Sequence, residues 1–419
     1  MRRFFVFLSF LIFTSALMAQ DTLTVMQYNL LQYGNYQGYG GCSESTNSTQ
    51  LKDNSIRVIM DYVKPDILTV CEFGATQQLQ TTFLRSNLNI NGADYWKSDN
   101  IMNGMNSNII NHIFYDSRKM EMSKHISLPT SPRNVDVYEM YLKTSSLIAG
   151  DTIKLVCIVA HLKAGTDSES VRLATMTTVM NYVSAHYAND NVLVMGDFNM
   201  YRATEGAYQI LTKTYGNTSA LFVDPLASVG GVGSWNNNSM FARFHTQSTR
   251  TNGPCFSTGG LDDRFDFILT SDEIYMGSKK MKYIKDTYKA VGNDGLHFNK
   301  SIIQNGNNAV PAEVSQALYD CSDHLPVTMK MWVQMHLGVE EYTAANGFKV
   351  YPNPTTDVLT VDIVDKATYI ISNVMGQIVM SGSINGENQQ INVSALPNGL
   401  YFIRVNSMIS KFVKSSYSH

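Results

Sequence analysis

The chain has 419 residues, of which 44% are hydrophobic and 16% charged, with 32 basic against 35 acidic residues for a net charge of −3. The apolar share is enough for a sizeable core and excludes a wholly disordered chain, and at about 150 residues per domain the length suits two to three domains. Charge is sparse against a typical ~25% and nearly balanced, so no global basic field gathers nucleic acid or acidic lipid; such a partner needs a local patch.

Residues 1–19 open with Arg2 and Arg3, continue as an apolar run from Phe4 to Phe13, and close on the small residues Ser15, Ala16 and Ala19. This is the pattern of a secretory signal peptide cleaved near Ala19, and the run is shorter than the ~20 residues of a membrane span. No later stretch reaches that length, so the mature chain is expected to be soluble or surface-attached. Residues 23–28 then read as a first strand, and 35–50 as a loop rich in Gly, Tyr, Ser and Asn. A helical stripe runs over 54–63 through Ile56, Ile59, Met60 and Val63 and stops at Pro65. Residues 66–71, 109–115 and 155–160 are further apolar strands, followed by a helix over 168–187 with Val171, Ala174, Thr178 and Val179 on its stripe. Residues 191–195, 265–269 and 327–333 complete the strands, and 230–260 is a second long loop of the kind that usually carries function. Strands alternating with helices predict a layered α/β domain over 20–336.

Residues 337–347 lack periodicity and read as a linker. Beyond it, short β-rich runs at 358–363, 368–372, 377–380, 390–393 and 400–405 alternate with turn signals such as Asn385-Gly386 and Pro397-Asn398-Gly399. They predict a small β-sandwich over 348–419. The five cysteines fit no zinc spacing. Cys71 and Cys157 lie in apolar runs as core thiols, Cys42 and Cys255 lie in Gly-rich loops where export permits a disulfide, and Cys321 makes the count odd.

Polar residues cluster at the ends of these strands. Asn29 follows the first and Glu72 the second; His161 follows a third; Asp197 and Asn199 flank Phe198 after a fourth; Asp266 and the run Ser322-Asp323-His324 come last. Strand ends are where α/β sheets build sites, because loops converge there on a rigid frame. Carboxylates and amides suit a hard divalent cation such as Mg²⁺ or Mn²⁺, and a histidine held by an aspartate can bind phosphate or protonate a leaving oxygen. Singly, each residue is better read as a turn, a cap or a satisfied core group; the joint pattern is what points to chemistry.

That joint pattern resembles the endonuclease/exonuclease/phosphatase superfamily, which includes DNase I-like nucleases, abasic-site endonucleases, inositol polyphosphate phosphatases and sphingomyelinases. The resemblance covers residues 20–336 and rests on Asn29, Glu72, Gly196-Asp197-Phe198-Asn199, Asp266 and Ser322-Asp323-His324. It implies a four-layer α/β sandwich (DNase I-like) and a Mg²⁺ site, with Mn²⁺ or Ca²⁺ as alternatives, at Glu72, Asn29 and Asp323. It also implies that Asp197 orients or deprotonates the attacking water, Asn199 binds the scissile phosphate, Asp266 holds the ring of His324, and His324 contacts the phosphate. His161 matches an acid/base histidine of the secreted nucleases, but the run 109–115 carries no acid to pair with it. The tail segments YPNPTTDVLTV, MGQIV and LPNGLYFIRV resemble the C-terminal sorting domain of type IX secretion. This implies recognition by outer-membrane secretion machinery, then release or surface attachment.

The expected function is a secreted, metal-dependent phosphodiesterase or endonuclease on extracellular nucleic acid, acting as a monomer by in-line attack of water. A phosphatase or sphingomyelinase-like lipid phosphodiesterase on the same scaffold is the alternative, and an adhesion protein with a dead site is a third. The lysine run Lys279, Lys280, Lys282, Lys285 and Lys289 either contacts a phosphate backbone or is a solvated face.

Overall fold

The computed structural model describes residues 20–36, 41–143, 152–213, 221–255, 257–334, 348–363, 366–374, 376–405 and 408–416. The signal-peptide and linker expectations lie outside these residues. The chain divides into two compact units, residues 1–337 and 338–419.

In the first unit, strands β1 (Gln20–Tyr33), β2 (Ile67–Gly74), β3 (Trp96–Lys97), β4 (Ile109–Asp116), β11 (Met281–Tyr283), β12 (Lys289–Ala290) and β13 (Val327–Gln334) form one sheet in the order β11-β13-β1-β2-β4-β3, with β12 also on β13. The second sheet runs β5-β6-β7-β8-β10-β9, from β5 (Met120–Leu128), β6 (Val135–Leu142), β7 (Lys154–His161), β8 (Asn191–Asp197), β9 (Phe222–Val223) and β10 (Asp266–Ser271). Alternate residues face the opposite sheet. Leu23, Val25, Ile67, Ile113 and Met331 from the first sheet share one core with Ile158, Val194 and Ile268 from the second. The outer face of the first sheet, through Met26, Tyr28, Leu68 and Phe114, packs on Ile56 and Ile59 of α1 (Thr49–Val63) and Val314 and Leu318 of α6 (Ala312–Cys321). The other outer layer is α3 (Glu169–His186) and α4 (Gly206–Thr212), in contact with each other. This is the four-layer α/β sandwich.

Several local expectations are corrected. The first helix begins at Thr49, not at 54, because Ser48 caps it by accepting from Leu51 N at 3.3 Å. The buried face of α3 is Arg172, Thr175, Met176, Val179, Met180 and Val183 rather than the stripe through Val171 and Ala174. The displacement comes from Arg172, which is fully buried because it meets Glu205 at 2.8 Å. Strands β5 and β6 carry no clear sequence signal: β5 is a half-exposed edge, and Asp136 and Glu139 interrupt the apolar pattern of β6. The 230–260 loop is tied at Gly231 by Arg264, whose guanidinium meets Asp224 through two bonds of 2.8 Å and also donates to Gly231 O.

The second unit holds two small antiparallel sheets. One contains Lys349–Tyr351, Val358–Asp362 and Gln389–Asn392; the other contains Ala367–Asn373, Ile378–Ile384, Gly399–Val405 and Met408–Lys414. Leu359, Val361, Ile371, Ile403 and Phe412 form its core. Tyr401 stacks on Phe412 and is buried, so it offers no exposed platform.

The tightest backbone constraint lies where β7 and β8 run parallel. Ala160 is opposite Gly196, whose φ is +146°, and a Cβ at Gly196 would lie 1.8 Å from Ala160 O. Replacing Gly196 by Ala is therefore expected to cost about 3 kcal/mol or more; thermal unfolding of the variant measures it.

Candidate active site

Two breaks in the first sheet aim its site residues. The first strand does not end at Asn29, as its sequence suggests, but runs on to Tyr33. Its register with β2 shifts between Asn29 and Tyr33, where Leu31 (φ 43°) and Gln32 (φ 53°) turn left-handed. In β2, Glu72 is also left-handed (φ 56°), and the register with β4 shifts between Val70 and Phe73. Such bulges re-aim side chains out of strict alternation. Lys52 of α1 secures the first of them. Its buried ammonium donates to Leu30 O at 2.7 Å, Leu31 O at 2.9 Å and Cys321 O at 2.6 Å, which ties the β1 bulge to the residue before Ser322-Asp323-His324. Burial lowers its pKa to about 8.

The second sheet supplies His161 at the end of β7, Asp197 at the end of β8 and Asp266 at the start of β10, and pairs His161 with Asp197 and Asp197 with Asp266. All the expected site residues meet at this end of the sandwich. Asn29 Nδ2 donates to Glu72 Oε1 at 3.1 Å and to Asp197 Oδ2 at 2.9 Å. Asn199 is left-handed (φ 47°) and bonds Asp197 Oδ1 through its backbone N at 3.1 Å and its Nδ2 at 2.9 Å. His161 Nε2 lies 3.4 Å from Asp197 Oδ2 and 3.8 Å from Glu72 Oε1. Its Nδ1 is buried without a partner, in keeping with the lack of an acid in residues 109–115 of β4. Burial, then the charge of Arg133, then that of His324 hold His161 well below its usual range, so its ring is neutral and an electron-pair donor.

His324 behaves in the opposite way. Its Nδ1 donates to Asp266 Oδ2 at 2.7 Å. Burial disfavours the charged ring, but Asp266 and then Asp197 outweigh burial and raise its pKa well above the ordinary value. Its Nε2 lies 2.7 Å from the Gln247 amide nitrogen and 3.4 Å from that of Asn29. The raised pKa places a proton on Nε2 as well, so an oxygen acceptor, the Gln247 amide oxygen or a phosphate oxygen, suits that position. Burial raises the Asp197 carboxyl, which suits it to accept a proton.

Residues that sequence patterns did not single out complete the walls. Gln32 donates to Glu72 Oε2 from its backbone N (3.1 Å) and its Nε2 (2.8 Å). Gln247 and the Ser257 backbone N hold Asp323 Oδ2 at 3.2 and 2.9 Å. Arg133 donates to His161 O and Leu162 O. Their signal was absent because each lies in a loop or, for Gln32, at the far end of β1, with no motif around it. The cleft has a volume of about 570 Å³ and is lined by these groups together with Lys163, Tyr201 and Asp263. Cys42 and Cys255 form a disulfide between its two rim loops, and Cys71, Cys157 and Cys321 are free buried thiols. The lysine run does not line this cleft.

The donor set fits a divalent cation. Among the described His, Cys, Asp and Glu side chains, Glu72, His161 and Asp197 bring ligand atoms within 4.8 Å of one another. Asp323 lies outside this group and keeps its Oδ1 buried without a partner, an oxygen that a cation or its water can satisfy.

Residues 349–416 match the family model of the secretion system C-terminal sorting domain. The chain thus carries a type IX sorting domain, which directs it to the cell surface or the medium through that machinery. Among the described residues no helix is long and apolar enough to cross a membrane. No curated protein sequence matches the chain. It is similar in fold to a humanized D. rerio TDP2 at 13% identity, over 74% of this chain and 98% of that one, with a TM-score of 0.46. It is likewise similar to an endonuclease/exonuclease/phosphatase family protein from Bacteroides thetaiotaomicron (13% identity, 75% and 99% coverage, TM-score 0.43). A third similar structure is the human Nocturnin catalytic domain (15% identity, 74% and 97% coverage, TM-score 0.42).

Asp263 allows a direct test of the cleft's electrostatics. Burial raises its carboxyl to about 7. The folded chain therefore holds a proton there that the unfolded chain releases near pH 4, and stability falls as pH rises between the two values. Asp263→Asn should match the parent near pH 4 and exceed it at pH 8 by about 1 kcal/mol or more. Denaturant titration at both pH values measures this.

Proposed function

We propose that the first unit is a phosphoester hydrolase of the endonuclease/exonuclease/phosphatase kind, exported by the sorting domain, and that its substrate is a phosphodiester of extracellular nucleic acid. The observation that carries this reading is the convergence of Asp266–His324 with Asn29, Glu72, Asp197 and Asn199 at one end of both sheets. A general base, a neutral amide and an imidazole whose basicity an aspartate raises are what in-line attack of water on phosphorus needs.

Glu72, with Asn29 and Asp323 or with His161 and Asp197, would hold Mg²⁺ or a similar divalent ion, which when bound polarises the phosphate and offsets its developing charge. Asp197 takes the proton of the attacking water, and Asn29 and Asn199 keep that carboxylate oriented. His324, an imidazolium steadied by Asp266, exchanges its contact with Gln247 for a hydrogen bond from Nε2 to a phosphate oxygen; the P–O bond opposite the attacking water breaks, and the leaving oxygen takes up a proton from solvent. Asn199 can add a second neutral donor without adding charge.

A lipid phosphodiesterase on the same scaffold is the second reading. Met102 and Met105 are more than 40% exposed, and the same segment continues into Ser107 and Asn108 of the cleft wall. Exposed methionines beside a cleft suit contact with a lipid surface.

The purified full chain should cut plasmid DNA or RNA in Mg²⁺ and stop on addition of chelator. Release from sphingomyelin vesicles with intact plasmid would move the assignment to the lipid reading, and inertness toward all of these substrates would remove it. Glu72→Gln should retain its melting transition and lose at least about a hundredfold in metal-dependent turnover. Asp266→Asn should lower kcat. Because it removes the charge that raises His324, the alkaline limb of the pH–rate profile should move to lower pH.

A further inference from the structure

The lysine run finds a place outside the cleft. Along β13 alternate residues Thr328, Lys330 and Trp332 share the outer face, since Met329 and Met331 face the core between the sheets. Antiparallel partners share a face as well, and here Lys289 lies opposite Thr328 and Lys282 opposite Trp332. On this face Thr328 is buried, while Lys282, Lys289 and Lys330 are exposed and Trp332 is 37% exposed. Thr22 and Thr24 of β1, opposite Trp332 and Lys330, are half-buried on the same face. Of the acids at this end, Asp66 accepts from Thr24 N and pairs with Lys119 at 2.9 Å, and Asp286 lies in the turn before Lys289.

These cations form a row rather than a cluster. Successive positions 328, 330 and 332 are about 6.8 Å apart along the strand, and the row begins four residues beyond His324. Lys289 also rims a second cavity of about 240 Å³ with Lys285, Arg243, Tyr283 and Phe244, where Asp286 is the acid present. The row thus couples lysines at evenly spaced register positions to the exposed side chain of Trp332.

We propose that this edge of the first sheet is an exosite for single-stranded nucleic acid. Lys289, Lys330 and Lys282 follow its phosphates, Trp332 stacks on a base, and the strand is thereby led toward the cleft. A solvated lysine face needs no exposed aromatic group beside it, whereas single-strand binding sites combine a cationic track with a stacking platform. The inference deepens the nucleic-acid reading above and rests on it.

The test is binding of a fluorescein-labelled thymidine oligonucleotide to the full chain in chelator, read by anisotropy between 50 and 200 mM salt, which are about the limits over which phosphate contacts dominate. The combined variant Lys282→Glu, Lys289→Glu, Lys330→Glu should bind at least about tenfold more weakly, and the slope of log affinity against log salt should fall by about 2. Trp332→Ala should weaken binding about fivefold or more. Turnover of bis(p-nitrophenyl) phosphate in Mg²⁺ should be unchanged in both. The milder Lys→Gln set at the same positions guards against unfolding by charge reversal. Unchanged oligonucleotide affinity in both lysine sets would overturn the exosite, as would equal affinity of the parent for duplex. If the parent fails to hydrolyse the small diester, the catalytic reading fails, and the binding measurement in chelator still decides the exosite.

Discussion

Negative charge gathered in one cleft is the constraint on which the rest of the first unit depends. Glu72, Asp197, Asp266 and Asp323 come together from both sheets, and like charges brought that close in a partly dry site repel. The chain answers with oriented donors. The amides of Asn29, Gln32, Asn199 and Gln247 each bond a carboxylate, and the His324 ring takes one oxygen of Asp266. What repulsion remains favours a bound cation or proton, which makes an otherwise costly arrangement chemically useful.

Holding the donors in place takes backbone in uncommon conformations. Leu31, Gln32, Glu72 and Asn199 all have positive φ, though none is glycine. Such residues cost free energy and persist where the surroundings over-determine them. Here the surroundings are specific: Lys52 grips the β1 bulge through three carbonyls, and the rim loops are joined by the Cys42–Cys255 disulfide. Arg264–Asp224 and Arg172–Glu205 secure the loops behind the second sheet, buried pairs whose single members would be costly to leave alone. The rigid sandwich thus carries the strain of the site.

The same division of labour separates the two units. The second has a small apolar core and two short sheets, and its match to a sorting domain gives it a destination rather than a chemistry. Export also suits the disulfide, since oxidising compartments allow one to persist. The Cys42–Cys255 bond between the rim loops thus accords with the exported destination.

Local sequence determined the apolar strands, the α/β alternation, the β-rich tail and the placing of Asn29, Glu72, His161, Asp197, Asn199, Asp266, Asp323 and His324 at or near strand ends. These were legible because strand periodicity and motif spacing are short-range properties, written in neighbouring residues. Tertiary structure alone decided which face of α3 is buried, since Arg172 is turned inward by Glu205, a residue 33 positions away. It decided that Gln32, Gln247 and Ser257 serve the carboxylates, that Lys52 braces two distant segments, and that Cys42 meets Cys255 across 213 residues. It also set the lysine run beside Trp332, because only the antiparallel register places Lys282 and Lys289 on the same face as a tryptophan from another strand. Each of these depends on contacts between residues far apart in the chain, and no local pattern records them.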